Sequence, residues 1–305
     1  MTTSAPLFVS SGDLIADRRY KWAIDHAQRG DLAGAADILM QTVELAPAFA
    51  TAWFALGAVR DALGDRDAAV AAFEAARDAD PEDYHGARLH LARLGAGAAT
   101  PDMTETYVGR LFDQHAPTFD ATMLERLDYR GPALLLEAVR AARPLRIGAM
   151  LDLGCGTGLG GAAFRPYVDW LAGVDLSPAM IEAARAKGVY DRLVARDLTQ
   201  FLRDEAGAQY HLVLAADVFV YCADLVPIAV AAARVLAPSG LFAFTIETHA
   251  DDGVRLQPTL RYAHGGDHVR AAVAAAGLTL RQLAPAATRT ENGKPVEGLI
   301  VVASA

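Results

Sequence analysis

The chain has 305 residues, with 28 Lys and Arg against 37 Asp and Glu, for a formal charge of -9. A hydrophobic fraction of 53% and a charged fraction of 21% suit a buried core in two domains, or one domain with a sizeable appendage. The acidity argues against broad nucleic-acid binding, which rests on Lys and Arg, and no apolar run reaches the roughly 20 residues of a membrane span.

At the N-terminus, Met1 to Gly12 lacks the basic and apolar regions of a signal peptide. The two cysteines, Cys155 and Cys222, stand at no disulfide or metal-ligand spacing, so a reducing cytoplasm is the expected compartment and no metal site is expected. Residues 1–15 read as a flexible terminus. Residues 50–83 then carry Trp53, Leu56, Gly57, Gly64-Asp65, Ala69, Phe73, Ala76 and Pro81. Moving 34 residues back, Gly30-Asp31, Ala35, Leu39 and Pro47 fall in the same frame, although Arg19, Trp22 and Ala23 replace the Trp, Leu and Gly. The pattern resembles tetratricopeptide repeats, pairs of antiparallel helices that bury their apolar faces only by stacking. A third unit begins at Tyr84 and stops at Gly95-Ala96-Gly97, as a single capping helix would. The helical domain is therefore placed at 16–96 and a small, Pro-terminated linker at 97–105.

Residues 106–145 show helical spacing broken at Pro117 and at Gly131-Pro132, and are read as two or three lid helices. From 146 to 305 strands alternate with helices, the pattern of a parallel α/β sheet covered on both faces. Strands are expected at 147–153, 170–175, 192–196, 211–217 and 240–247, with a final pair near 277–284 and 297–303. Helices are expected at 158–166, 178–187 and 224–236.

The strongest chemical signal is Leu151-Asp152-Leu153-Gly154-Cys155-Gly156-Thr157-Gly158, an apolar strand running into three alternate glycines and then a helix. Such a loop lets a ligand approach the backbone, and the helix N-terminus offers free N–H groups. A GxGxxG frame also exists at Gly156, Gly158 and Gly161, so dinucleotide binding is a rival reading. Counted from Gly154, where the strand ends, that frame fails at Leu159. Asp152 inside the strand suits an ammonium group, whereas it would repel a pyrophosphate. Asp175 ends the second strand and can accept from both ribose hydroxyls of an adenosine. Ser177-Pro178 opens a helix whose first turn carries Met180, placed to lie against adenine. Asp197, after the third strand, can accept from the adenine amine. Asp217 ends the fourth strand at the edge where such sheets bind ligands.

In order and spacing, LDLGCGTG, VDLS, ARDL and LVLAADVFVY resemble the successive motifs of class I S-adenosylmethionine-dependent methyltransferases. The leader Tyr107 to Asp113 with Ala116-Pro117 and Phe119-Asp120, the repeats, and Arg261-Tyr262-Ala263-His264 are similar to one branch, bacterial methyltransferases with tetratricopeptide repeats. The resemblance implies a Rossmann-like seven-stranded sheet with its last strand antiparallel, preceded by an all-α repeat domain. It implies S-adenosylmethionine as cofactor, held by Tyr107, Asp152, Gly154, Cys155, Gly156, Gly158, Asp175, Leu176, Met180, Asp197, Leu198, Ala215 and Asp217.

Blander roles stand beside these. Asp152 could only organise the loop, Met180 could be core, and Asp197 and Asp217 could be caps. His249 and His264 are candidate catalytic residues, since a general base assists hydroxyl or thiol acceptors; the alternative is a histidine making structural bonds. Methyl transfer to O, N or C of a small molecule is the leading expectation, with no nucleic acid and no membrane as partner. The repeats would bind a partner or self-associate. The alternatives are a protein methyltransferase whose substrate the repeats recruit, and a non-catalytic scaffold with a cofactor pocket.

Overall fold

A computed structural model describes residues 8–144 and 146–305, so the expected flexible terminus falls outside the described residues over 1–7. The chain forms two compact units that divide between Arg110 and Leu111. In the first, α1 (Leu14–Gln28), α2 (Leu32–Leu45), α3 (Ala50–Ala62), α4 (Arg66–Ala79) and α5 (Ala87–Arg93) follow one another through short turns. Gly30 and Gly64 take positive φ at two of these turns, and the next residues, Asp31 and Asp65, cap α2 and α4 by accepting from Gly34 N and Ala68 N. Tyr20, Leu39, Phe49 and Leu56 fill the core among Ala16, Ala23, Ala35, Ala36, Ala52 and Ala55. Small residues at these crossings let the helices pack closely.

The helix α6 (Glu105–His115) contains the boundary between the units. Beyond it the lid segment is irregular: a 3-10 turn at Ala116–Thr118, one α turn at Phe119–Ala121 (α7) and a π turn at Thr122–Arg126 precede α8 (Gly131–Ala142). Pro117 changes the helix type without ending the helical run, which stops before residues 128–130, and Gly131-Pro132 open α8.

The second unit then alternates as its sequence implies: β1 (Ile147–Leu153), α9 (Leu159–Phe164), β2 (Val168–Asp175), α10 (Pro178–Lys187), β3 (Arg192–Ala195), α11 (Leu198–Asp204), β4 (Tyr210–Ala215), α12 (Val226–Val235) and β5 (Leu236–Thr248). There follow β6 (Val254–Leu256), β7 (Tyr262–His264), α13 (Gly266–Ala275), β8 (Thr279–Glu291) and β9 (Lys294–Ser304). The parallel strands run in the order β3-β2-β1-β4-β5; β9 lies antiparallel against β5, and β8 against β9. Side chains alternate between two cores. Met150, Leu171, Leu212 and Leu214 pack towards α8 and α9, while Leu151, Val174, Val213 and Ala215 pack towards α11, α12 and α13.

The last strand is antiparallel, as expected, but the described sheet has nine strands rather than seven. The extra two are β6 and β7, a three-residue hairpin attached to β5 at Glu247 and Thr248. Strands so short carry no readable alternation. The strand β8 also runs past Pro285, which is tolerated because β8 is an edge strand paired only to β9.

Candidate functional site

Leu153 pairs with Val174 on one side and with Ala215 on the other, so β1, β2 and β4 end level with one another. The chain leaves β1 towards β2 and β3 on one flank and later returns to β4 on the opposite flank, which makes the end of β1 a topological switch point. The glycine loop, Asp175 and Asp217 all emerge at this edge.

Gly154, Gly156 and Gly158 have φ of +60°, +53° and +93°, which side chains resist. A Cβ on Gly154 would lie 2.6 Å from Val218, whereas one on Gly156 would meet nothing closer than the Phe119 ring at 3.8 Å. No backbone presses on Gly156, and the one neighbour of such a Cβ is the Phe119 side chain at ordinary van der Waals distance. The loop is tied to β2 by Cys155 N donating to Val174 O at 3.0 Å and Gly156 N donating to Asp175 Oδ2 at 2.8 Å. Asp175 Oδ1 accepts from Ser177 N at 2.9 Å. Burial raises the Asp175 carboxyl pKa and these amides oppose the rise. With the Leu176 amide also bonding this carboxylate, the two oxygens together still keep lone-pair capacity to spare.

Asp152 is buried beneath the loop. Its Oδ2 accepts from the Tyr190 hydroxyl at 2.7 Å, and Tyr190 in turn accepts from Gly161 N at 3.2 Å. Burial pushes the Asp152 carboxyl up to about 7, against the Tyr190 bond. Tyr190, which sequence reasoning missed, also accounts for Gly161: a Cβ there would collide with its ring, and one on Gly173 would lie 2.8 Å from it. The third glycine of the GxGxxG frame thus makes room for a tyrosine. Glycines inside a helix and a strand were the only sequence signal of a close neighbour.

Among the other expected cofactor residues, Leu176 and Leu198 are half-buried, while Met180 and Ala215 are fully buried. Asp197 caps α11, accepting from Gln200 N at 2.8 Å. Burial holds the Cys155 thiol well above its ordinary pKa, which disfavours the thiolate. Tyr107 lies in the first unit, its ring packed against Gly86.

Asp217, in a positive-φ conformation of +58°, accepts from Thr245 Oγ1 at 2.9 Å and Thr288 Oγ1 at 3.1 Å, and pairs with Arg289 Nη1 at 2.5 Å. Arg289 also pairs with Glu247, and through Nε with Glu291 at 3.0 Å; Arg261 reaches Glu247 through Nε at 2.7 Å and also pairs with Glu291. The three carboxylates raise the Arg289 pKa, so it stays charged. This network joins the ends of β4 and β5 to β8. Of its members Asp217 and Arg261 stood out in the sequence; Glu247 and Arg289, the latter 72 residues beyond Asp217, did not.

The histidines separate. His264 is fully buried on β7 with Nε2 donating to Cys222 O at 2.9 Å, and burial pushes its pKa down to about 4. His249, one residue past β5, has both ring nitrogens buried with no hydrogen-bond partner. His264 and His268 stack at 5.4 Å, and no group of three side chains among the described residues is placed to hold a metal ion.

Comparison with known proteins finds similarity in the second unit. Residues 151–244 match the family model described as a methyltransferase domain. Over 105 residues the chain is 38% identical to human methyltransferase-like protein 27, a match covering 33% of this chain and 42% of that protein. Among solved structures, the [4+2]-cyclase SpnF superposes with a TM-score of 0.54 at 16% identity, over 67% of this chain and 97% of the cyclase. The 1,6-didemethyltoxoflavin-N1-methyltransferase of Burkholderia thailandensis, with S-adenosylhomocysteine bound, gives 0.51 at 16% identity, over 67% and 92% of the two chains. A chain from the complex of the Haloferax volcanii Trm112 activator and its putative methyltransferase gives 0.50 at 22%, over 64% and 97%. At such identities the likeness is one of fold. Residues 151–244 are thus similar to a methyltransferase domain, and the sheet that contains them has the Rossmann-like fold of these solved structures.

Proposed function

We propose that this domain binds S-adenosylmethionine at the common edge of β1, β2 and β4 and transfers its methyl group to O, N or C of a small molecule. The reading rests on the positive-φ glycine loop that Asp175 holds through the Gly156 amide, with only the Phe119 side chain over Gly156. Asp175 would accept from the ribose hydroxyls with the lone pairs left free, and Asp197, already an N-cap, would present its remaining acceptor capacity to the adenine amine. Asp152, engaged by Tyr190, would act on the ammonium end through its charge and through the loop it steadies. When bound, the cofactor supplies a sulfonium-activated methyl; the chain must align the acceptor, exclude water and take up a proton where the acceptor carries one. For that last task we assign His249 and not His264. The former has free ring nitrogens, while the latter is committed to a carbonyl and too weakly basic. The Asp217–Arg289 network would form a rigid wall on the acceptor side.

The first unit, read as tetratricopeptide repeats, would serve partner binding or self-association. Titration calorimetry with S-adenosylhomocysteine, followed by incubation of labelled S-adenosylmethionine with metabolite fractions, tests the assignment. Saturable uptake of the first and label in a small molecule are expected. No binding of either nucleoside would overturn it, as would label appearing only in protein for the small-molecule part.

A further inference from the structure

The lid segment is fastened at three places within the second unit. Near the end of α6, Asp113 Oδ1 accepts from the Ser177 hydroxyl at 2.6 Å and from Ala179 N at 3.3 Å, placing a carboxylate on the N-terminus of the ten-residue α10. In α7, Asp120 accepts from Thr157 Oγ1 at 2.5 Å and pairs with Lys187 Nζ at 2.7 Å, so it grips the glycine loop and the last turn of α10 together. At the far end, Thr290 N donates to Leu127 O and Arg130 N to Thr288 O, both at 2.7 Å, which joins the segment to β8 by main chain. Between these points Phe119 lies over Gly156, and Phe112 meets Phe119 at 6.3 Å and Tyr221 at 5.2 Å.

The two kinds of fastening differ in chemistry. The bonds to β8 are main-chain bonds to a long strand, whereas Asp113 and Asp120 are side-chain bonds to the elements that carry Gly156, Asp175 and Ser177. The stretch between them changes from 3-10 to α to π helix within eleven residues, Ala116 to Arg126, so it is not held by one continuous ladder. Charge-assisted bonds of this kind are among the stronger ones a side chain makes, yet break singly. The Asp113 carboxylate also lies close enough to Asp175 to raise its pKa.

We propose that Asp113 and Asp120 are positioning residues that form a releasable clasp, holding the lid closed over the cofactor and setting the rate at which the demethylated nucleoside leaves. The proposal rests on the methyltransferase reading for the identity of that nucleoside. It requires the lid to swing on its β8 attachment, with both carboxylates letting go before exchange. Phe119 then moves away from Gly156 as the clasp opens.

The test is S-adenosylhomocysteine dissociation measured by stopped flow on the full-length chain, comparing wild type with Asp113→Ala, Asp120→Ala and the double variant. Each single change is expected to speed release about tenfold, the double more, with association no slower than in wild type because the same carboxylates must let go for entry. Added salt should speed release from wild type but not from Asp120→Ala, because Lys187 loses its partner only in the former. In parallel, amide exchange over residues 113–127 should quicken in the double variant while β1 to β5 keep their protection. Release rates within about twofold of wild type in the double variant would overturn the clasp, as would slower association accompanied by a fall in melting temperature. If wild type takes up no S-adenosylhomocysteine, the methyltransferase reading fails by itself, and unchanged exchange over 113–127 would still be needed to reject the clasp.

Discussion

Asp152 and Asp175 are two buried carboxylates with different tasks, and ionisation separates them. The Asp152 carboxyl, pushed up to about 7 by burial, holds its proton more tightly in the folded chain than in the unfolded one. Its contribution to stability is therefore complete below about pH 4 and is lost as the pH rises through about 7. A bound ammonium group favours the ionised form, so S-adenosylhomocysteine affinity should rise several-fold between about pH 6 and pH 8 in wild type and stay flat in Asp152→Asn. Calorimetry at both pH values checks this, and equal slopes in the two proteins would remove Asp152 from the ammonium end. Asp175→Ala deletes the partner of the Gly156 and Ser177 amides together with the proposed ribose acceptor. Affinity is expected to fall by roughly 10- to 100-fold at any pH in that range, since bonds to a charged group carry about 1.5–3 kcal/mol each.

At the scale of the element, glycine spacing has two causes that the sequence does not distinguish. Gly154, Gly156 and Gly158 bend the loop, while Gly161 and Gly173 make room for Tyr190. Gly161→Ala should therefore destabilise the chain by about 1–3 kcal/mol through overpacking, read as a shift in the urea midpoint. A midpoint equal to wild type would mean that Tyr190 readily moves aside. The strand ends near Asp217 and Glu247 depend on Arg289 in the same way. Arg289→Met leaves Asp217 without its ion partner, while Glu247 and Glu291 keep Arg261, and should cost about 3–5 kcal/mol, seen as a lower denaturation midpoint; a loss under about 1 kcal/mol would make the network dispensable. The loop, Asp175 and the α10 cap were legible because each lies within a few residues of its own strand end. Tyr190 and Arg289 were not, because each meets its partners only through the sheet.

Across the whole molecule, the two units invite separate tests. With residues 1–96 removed, a small-molecule enzyme should keep its S-adenosylhomocysteine affinity within about twofold and keep its turnover, since distant changes add nearly independently. A protein methyltransferase that recruits substrate through the repeats would keep the affinity and lose the turnover. Local pattern alone determined the alternation of helices and strands, the Gly-Asp turns of the first unit and the glycine loop of the second. These follow from backbone sterics and from side-chain period over a few residues. Which charges are buried, what they pair with, and that His264 is spent on a carbonyl while His249 is free were decided by tertiary structure. Burial and pairing depend on residues that only the folded sheet brings together, as Asp217 and Arg289 show.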